Sequence, residues 1–289
     1  MKFEKYKKYH NFRRDECPVC KNEDSILWTT HEYFSADECS HCGFVYINPS
    51  LNQDGLNEYY SDYIGDRFDK EIKMKQRQVQ YQIDANFLQR FVSTGDLLDV
   101  GCNGGFFLDA LSNDFNKTGI EIDADAVKYA NENYNFKVIH GFLGDDEFEN
   151  NSFDVIVFRG VIEHILNPEL ALLRAKKILR KGGFIYFCAT PNLKSIGADF
   201  YREKWNLWHP IEHINIFDAT TLNKMLGQND FELFAEDYQY LGTPYENYKE
   251  DTQALINDIA LKNSDRWDEV SRSKPFWGNM MSLIYKNIS

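Results

Sequence analysis

The stretch Leu97-Leu98-Asp99-Val100-Gly101-Cys102-Asn103-Gly104-Gly105 decides the fold. A short apolar run carries one acid and then meets three glycines within five positions. The run reads as a buried strand. Glycine adopts positive φ and lets the backbone approach a ligand, so the following residues read as a tight turn into a helix starting near Phe106.

Downstream, strands and helices alternate. Strands are predicted at 97–100, 118–122, 136–139, 153–158 and 184–188, with helices at 105–112 and 124–134. Another helix opens at Asn167-Pro168, where Asn caps and Pro suits the first turn, and Gly182-Gly183 closes it. Near-continuous apolar strands between helices predict an α/β fold, a doubly wound and mostly parallel sheet covered on both faces. Asp218 is placed to cap a helix over 220–227, followed by a strand over 231–240. The segment 245–274 is polar and shows no clear period, and 276–285 reads as either a strand or a helix. Residues 66–91 carry apolar positions at helical spacing. The division predicted is a small module over 1–50, a helical linker or lid over 51–95, a cofactor-binding core over 96–241 and a C-terminal extension over 242–289.

Composition supports a sizeable core, with 43% hydrophobic and 15% aromatic residues in 289. A net charge of −13 opposes bulk attraction to nucleic acid or anionic membrane. The cluster Lys2, Lys5, Lys7, Lys8, Arg13 and Arg14 is a local exception that reads as a solvated tail. No apolar run reaches membrane-spanning length, and residues 1–14 lack the apolar centre of a signal peptide. A cytoplasmic protein without membrane insertion is expected.

Four of the six cysteines form two pairs, Cys17-Pro-Val-Cys20 and Cys39-Ser-His-Cys42. Each C-x2-C places two sulfurs on one turn, and two such turns close a tetrahedron, the pattern of a structural four-thiolate zinc site. Cys102 and Cys188 read as core residues.

Glu121 stands 20 residues after Gly101, where a doubly wound sheet presents an acid to a ribose diol. The turn lacks the G-x-G-x-x-G string of a dinucleotide site, and Asp99 is suited to a cationic amino group rather than a pyrophosphate. Both features favour S-adenosylmethionine over a nicotinamide cofactor.

These residues, together with Gly119-Ile120-Glu121-Ile122-Asp123, Phe153-Asp154-Val155-Ile156, Val161-Ile162-Glu163-His164 and Leu179-Arg180-Lys181-Gly182-Gly183, resemble the class I S-adenosylmethionine-dependent methyltransferases over roughly residues 85–240. Asn103 departs from the family's usual glycine, at little cost because Asn tolerates left-handed backbone. The resemblance implies that Asp99 and Gly101 line the methionyl end, with Asn103 and Gly105 in the same turn. It places Glu121 on the ribose, with Ile122 beside it, Phe142 near the adenine and Gly160 at the sulfonium. Cys39-Ser-His-Cys42-Gly43-Phe44, Asn48-Pro49 and Tyr59-Tyr60 are similar to the zinc-binding head of a subgroup that modifies sugars, surface polysaccharides and natural products.

Methyl transfer to a hydroxyl needs a positioned acceptor and a proton acceptor. Two segments beyond strand ends offer one, Glu163-His164 and His209-Pro-Ile-Glu212-His213. In the sugar-modifying relatives the corresponding Glu212, His213 and His164 are associated with the acceptor site. Two roles stay open for His213, general base or packed histidine. Tyr60, Arg159 and Trp208 are candidate acceptor contacts, with core packing or ion pairing as the competing role of each. The expectation is O-methylation of a small-molecule or glycan acceptor. The alternatives are an RNA methyltransferase, which the acidic charge opposes, and a non-catalytic cofactor-binding scaffold.

Overall fold

The computed structural model describes residues 2–61, 71–144 and 147–289. The strands are β1 (Ser25–His31), β2 (Phe34–Cys39), β3 (Val45–Ile47), β4 (Gly95–Val100), β5 (Phe115–Glu121), β6 (Lys137–His140), β7 (Phe153–Arg159), β8 (Leu179–Pro191), β9 (Asn215–Ile216), β10 (Phe231–Asp237) and β11 (Met280–Asn287). Seven of them form the main sheet in the order β10-β11-β8-β7-β4-β5-β6. The pairs from β8 through β6 are parallel, while β11 runs antiparallel to both β8 and β10. This is a Rossmann-like, doubly wound sheet, and the chain order reverses between β4 and β7, where such sheets open a crevice.

The apolar runs that predicted the strands are buried: Leu97, Leu98, Val155, Ile156, Val157, Phe158, Ile185 and Phe187 are at most 1% exposed. Burial on both faces favours the β-branched and aromatic residues found there. Helix Ala124–Asn133 is capped by Asp123, whose carboxylate accepts from the Asp125 and Ala126 amides. Asn167 caps Pro168–Ile178 in the same way, and Asp218 makes a capping box with Thr221 at Ala219–Gly227.

One expectation is overturned, and two segments left open by the sequence are resolved. Gly182-Gly183 does not end the helix, which stops at Ile178; both glycines lie inside β8, where pairing with β7 shifts register between Phe153 and Val155. The polar segment after 245 contains the helix Tyr248–Asn263, of which only Asp251 is buried. A helix so little buried leaves no apolar stripe in the sequence to find. The last segment is a strand, β11, central between β8 and β10. Of the helical stretch predicted over 66–91, residues 66–70 lie outside the described residues, and the remainder forms Glu71–Gln89.

The N-terminal strands form a second sheet, β1-β2-β3-β9, completed by two residues from far along the chain: Val45 pairs with Ile216 and Tyr46 with Asn215. Phe44 packs on Phe217 at 4.8 Å between ring centres. The cysteine-bearing segment is therefore stitched to the core beside the loop that carries His213.

Candidate active site

A cavity of about 460 Å³ opens at the carboxyl ends of β4, β5, β6 and β7. Asp99, Gly101, Asn103, Glu121, Ile122, Phe142, Arg159, Gly160 and His164 line it, and Tyr60 reaches it from the helix Gln53–Ser61.

The turn after β4 is built by backbone geometry. Gly101 has φ of 69°, and a Cβ there would stand 2.8 Å from a Val161 methyl. Gly105 has φ of 80°, and its Cβ would meet the Phe136 ring at 2.8 Å. Gly105 packs at the back of the turn, outside the cavity lining. Asn103 takes the left-handed conformation at φ 51°, and its side-chain oxygen accepts from the Gly104 amide at 2.7 Å.

Glu121 ties this turn to the next. One carboxylate oxygen accepts from the Asn103 amide at 2.7 Å, the other from the Ile122 and Asp123 amides at 2.7 and 3.0 Å. Burial still leaves its carboxyl above the ordinary value, since the amides only partly offset desolvation. Asp99 is 2% exposed, and its Oδ1 has no hydrogen-bond partner among the described residues. Burial first, and Glu121 second, push it up to about 8 against the opposing Arg159 charge. A buried carboxyl oxygen without a partner is costly. An ammonium group brought into this cavity would satisfy it, so the residues present fit S-adenosylmethionine.

Arg159 does not offer an uncompensated guanidinium. Its Nε and Nη2 donate to the Asp84 carboxylate at 2.9 and 2.7 Å, and it lies 4.2 Å over the Tyr81 ring. Asp84 and Tyr81, on Glu71–Gln89, were not identified from the sequence, because nothing local marks a helical Asp as the partner of a residue 75 positions away.

On the other side of the cavity stands a histidine cluster. The His164 Nδ1 lies 2.9 Å from the Glu212 carbonyl and 2.9 Å from the Tyr60 hydroxyl. A carbonyl only accepts, so the Glu212 contact is a hydrogen bond when Nδ1 carries the proton; the Tyr60 oxygen then accepts from the same N–H, and Nε2 holds the lone pair. The His213 Nδ1 lies 2.8 Å from the Leu207 carbonyl, which sets the same tautomer. The two rings are 4.9 Å apart, and His209 is 5.2 Å from His213. Burial, then the neighbouring His164, pushes His213 down to about 3, which favours the neutral imidazole. Glu212 accepts from the Tyr59 hydroxyl at 3.3 Å. His164 lines the cavity, whereas His213, 4.9 Å from it between ring centres, does not.

Glu163, which the sequence placed beside His164 without a role, is 2% exposed with Oε2 unpartnered among the described residues, and burial pushes it up to about 8. Trp208 is corrected: it is 4% exposed, packs against Trp28 at 5.7 Å in the second core and does not line the cavity.

The four cysteines converge. The sulfurs of Cys17, Cys20, Cys39 and Cys42 lie within 4.8 Å of one another, with Cys17 to Cys42 at 3.6 Å and Cys20 to Cys39 at 3.5 Å. Sulfurs placed tetrahedrally at about 2.3 Å from one ion would be about 3.8 Å apart, so the donor set fits such an ion. Left-handed Lys21 and Gly43 follow the second cysteine of each pair and turn the chain back.

The family model described as "methyltransferase domain" matches residues 75–236, more than half of the chain. The chain belongs to this family and is an S-adenosylmethionine-dependent methyltransferase. It is 26% identical over 172 residues to an uncharacterized protein of Methanocaldococcus jannaschii, covering 59% of this chain and 80% of that one. It is 29% identical over 180 residues to phosphoethanolamine N-methyltransferase 3 of Arabidopsis thaliana, but spans only 35% of that protein. Its fold is similar to a chain from the complex between the Haloferax volcanii Trm112 methyltransferase activator and a candidate methyltransferase. The TM-score is 0.58 at 12% identity, covering 81% of this chain and 98% of that one. Among the described residues, no helix is long and apolar enough to cross a membrane.

Proposed function

We propose that this methyltransferase transfers a methyl group to a hydroxyl of a small carbohydrate-type acceptor, and that His164 takes the hydroxyl proton. The observation that carries this reading is the 2.9 Å contact of the His164 Nδ1 with the Glu212 carbonyl. With the Nδ1 proton held there, the lone pair sits on Nε2 in a side chain lining the same cavity as Asp99 and Gly160.

S-adenosylmethionine supplies an already activated methyl group when bound. Asp99 would hold its amino group, Glu121 its ribose hydroxyls, and Gly160 leaves open space because it has no side chain. Phe142, 65% exposed at the rim, offers an apolar face to the adenine. Tyr60, hydrogen-bonded to His164, positions the imidazole, with the Glu212 carbonyl on the same ring nitrogen and the His213 ring 4.9 Å away. As proton acceptor His164 contributes about 10²- to 10⁴-fold. Arg159, neutralised by Asp84, orders the helix Glu71–Gln89 over the cavity.

The four-cysteine cluster holds a structural zinc ion in this reading. Burial pushes the Cys17 thiol up to about 11, and a cation is what makes its thiolate form accessible. A sugar acceptor is supported by the likeness of the N-terminal half to the sugar-modifying subgroup and by the chain's −13 charge, which disfavours polyanions. The test is a screen of nucleotide-sugars, phosphosugars and glycans with labelled methyl donor, with wild type and His164→Asn. Methylated carbohydrate from wild type, sharply reduced in the variant, supports the reading. Undiminished turnover in the variant removes His164 from the mechanism.

A further inference from the structure

Glu163, His164 and His213 each offer one donor atom, and the three atoms lie within 4.8 Å of one another. Two independent features distinguish this group from a chance cluster. Both imidazoles hold their Nδ1 at a backbone carbonyl, Glu212 for His164 (where the Tyr60 hydroxyl also lies at 2.9 Å) and Leu207 for His213, and donation to these carbonyls turns Nε2 into the ligand atom. This carbonyl partnership is the one that orients metal-ligating histidines. The second feature is Glu163, 98% buried, whose Oε2 finds no hydrogen-bond partner among the described residues and whose Oε1 stands 3.9 Å from the His164 Nε2.

We propose that these three side chains bind one divalent transition-metal ion of the zinc and cobalt class, through the Glu163 carboxylate and the Nε2 atoms of His164 and His213, separately from the four-cysteine site. Ligands at 2.0–2.1 Å in a tetrahedral arrangement would be about 3.3 Å apart, so the donors, 3.9 Å apart in the Glu163–His164 pair and within 4.8 Å overall, draw together on binding the ion. The backbone around the donors is already fixed. The His164 amide donates to the Val161 carbonyl at 2.9 Å, and the His213 amide to the His209 carbonyl at 2.8 Å. Two histidines and one carboxylate leave at least one coordination position open, as in catalytic rather than structural sites. One consequence rests on the proposed role of His164: a metal on its Nε2 occupies the lone pair that accepts the proton, so loading the site suppresses turnover.

The experiment is a Co²⁺ titration of the full chain followed by absorption spectroscopy. Two equivalents are expected. The first produces thiolate-to-cobalt charge-transfer absorption from the cysteines, and the second adds only the weak bands of nitrogen and oxygen ligation. Glu163→Gln and His213→Asn weaken the second equivalent at least tenfold and leave the charge-transfer absorption intact, with circular dichroism and cofactor binding confirming the fold of each variant. A single equivalent, or a second one that both variants retain, overturns the proposal. A second equivalent that binds without suppressing turnover leaves the metal site standing and removes His164 as the proton acceptor.

Discussion

Cofactor affinity should rise steeply with pH, and Asp99 should be the cause. In the ligand-free chain its carboxyl is pushed up to about 8 by burial and by Glu121, with Arg159 opposing. To pair with the donor's ammonium group it must first lose a proton. About one molecule in a hundred is ionised at pH 6 and about a quarter at pH 7.5, so Kd falls about 25-fold over that interval. In Asp99→Asn the dependence disappears, and affinity at pH 7.5 drops because a charge-assisted hydrogen bond of about 1.5–3 kcal/mol is lost. Isothermal titration with S-adenosylhomocysteine in buffers from pH 6.0 to 7.5 measures both effects. A flat wild-type profile, or an equal slope in Asp99→Asn, would refute the assignment of Asp99 to the amino group.

Three further outcomes follow from the same structure. His164→Asn lowers turnover by about 10²-fold or more while the cofactor Kd stays within about twofold, which steady-state kinetics and titration separate. Without ligand, the protein loses stability as pH rises from about 4 toward 8. The carboxyls of Asp99 and Glu163 are both raised to about 8 by burial, so the folded state keeps protons that the unfolded state releases. Thermal melts in that range record the fall, and Asp99→Asn with Glu163→Gln flattens it. Trp208→Ala costs about 3–5 kcal/mol in denaturant unfolding, through lost packing on Trp28, and leaves the acceptor KM unchanged in any variant that still folds.

What the sequence revealed about the site was local in sequence. Asp99, Gly101 and Glu121 are legible because strand, turn and acid fall at fixed short spacings dictated by one βαβ unit. The two C-x2-C pairs are legible because each turn presents its own two sulfurs. The histidine cluster was only half legible. Glu163-His164 and Glu212-His213 were visible as separate segments, but the 4.9 Å approach of the two imidazoles is set by tertiary packing. The pairing of Val45 with Ile216, and of Arg159 with Asp84, was hidden for the same reason. Trp208 shows the reverse error, since an aromatic near a polar motif carries no mark of which way it points, and here it packs inward. Gly182-Gly183 reads as a helix stop only while the irregular start of β8 is unknown; Gly182 takes φ of 72° within that strand.

In the proposed reaction this cavity passes a methyl group to a carbohydrate hydroxyl. Incubating the purified chain with methyl-labelled S-adenosylmethionine and equal amounts of nucleotide-sugars, glycans, RNA and protein, then locating the label by mass spectrometry, tests it most directly. Label on a carbohydrate oxygen is the predicted result. Label on RNA or protein, with none on any carbohydrate, would contradict it.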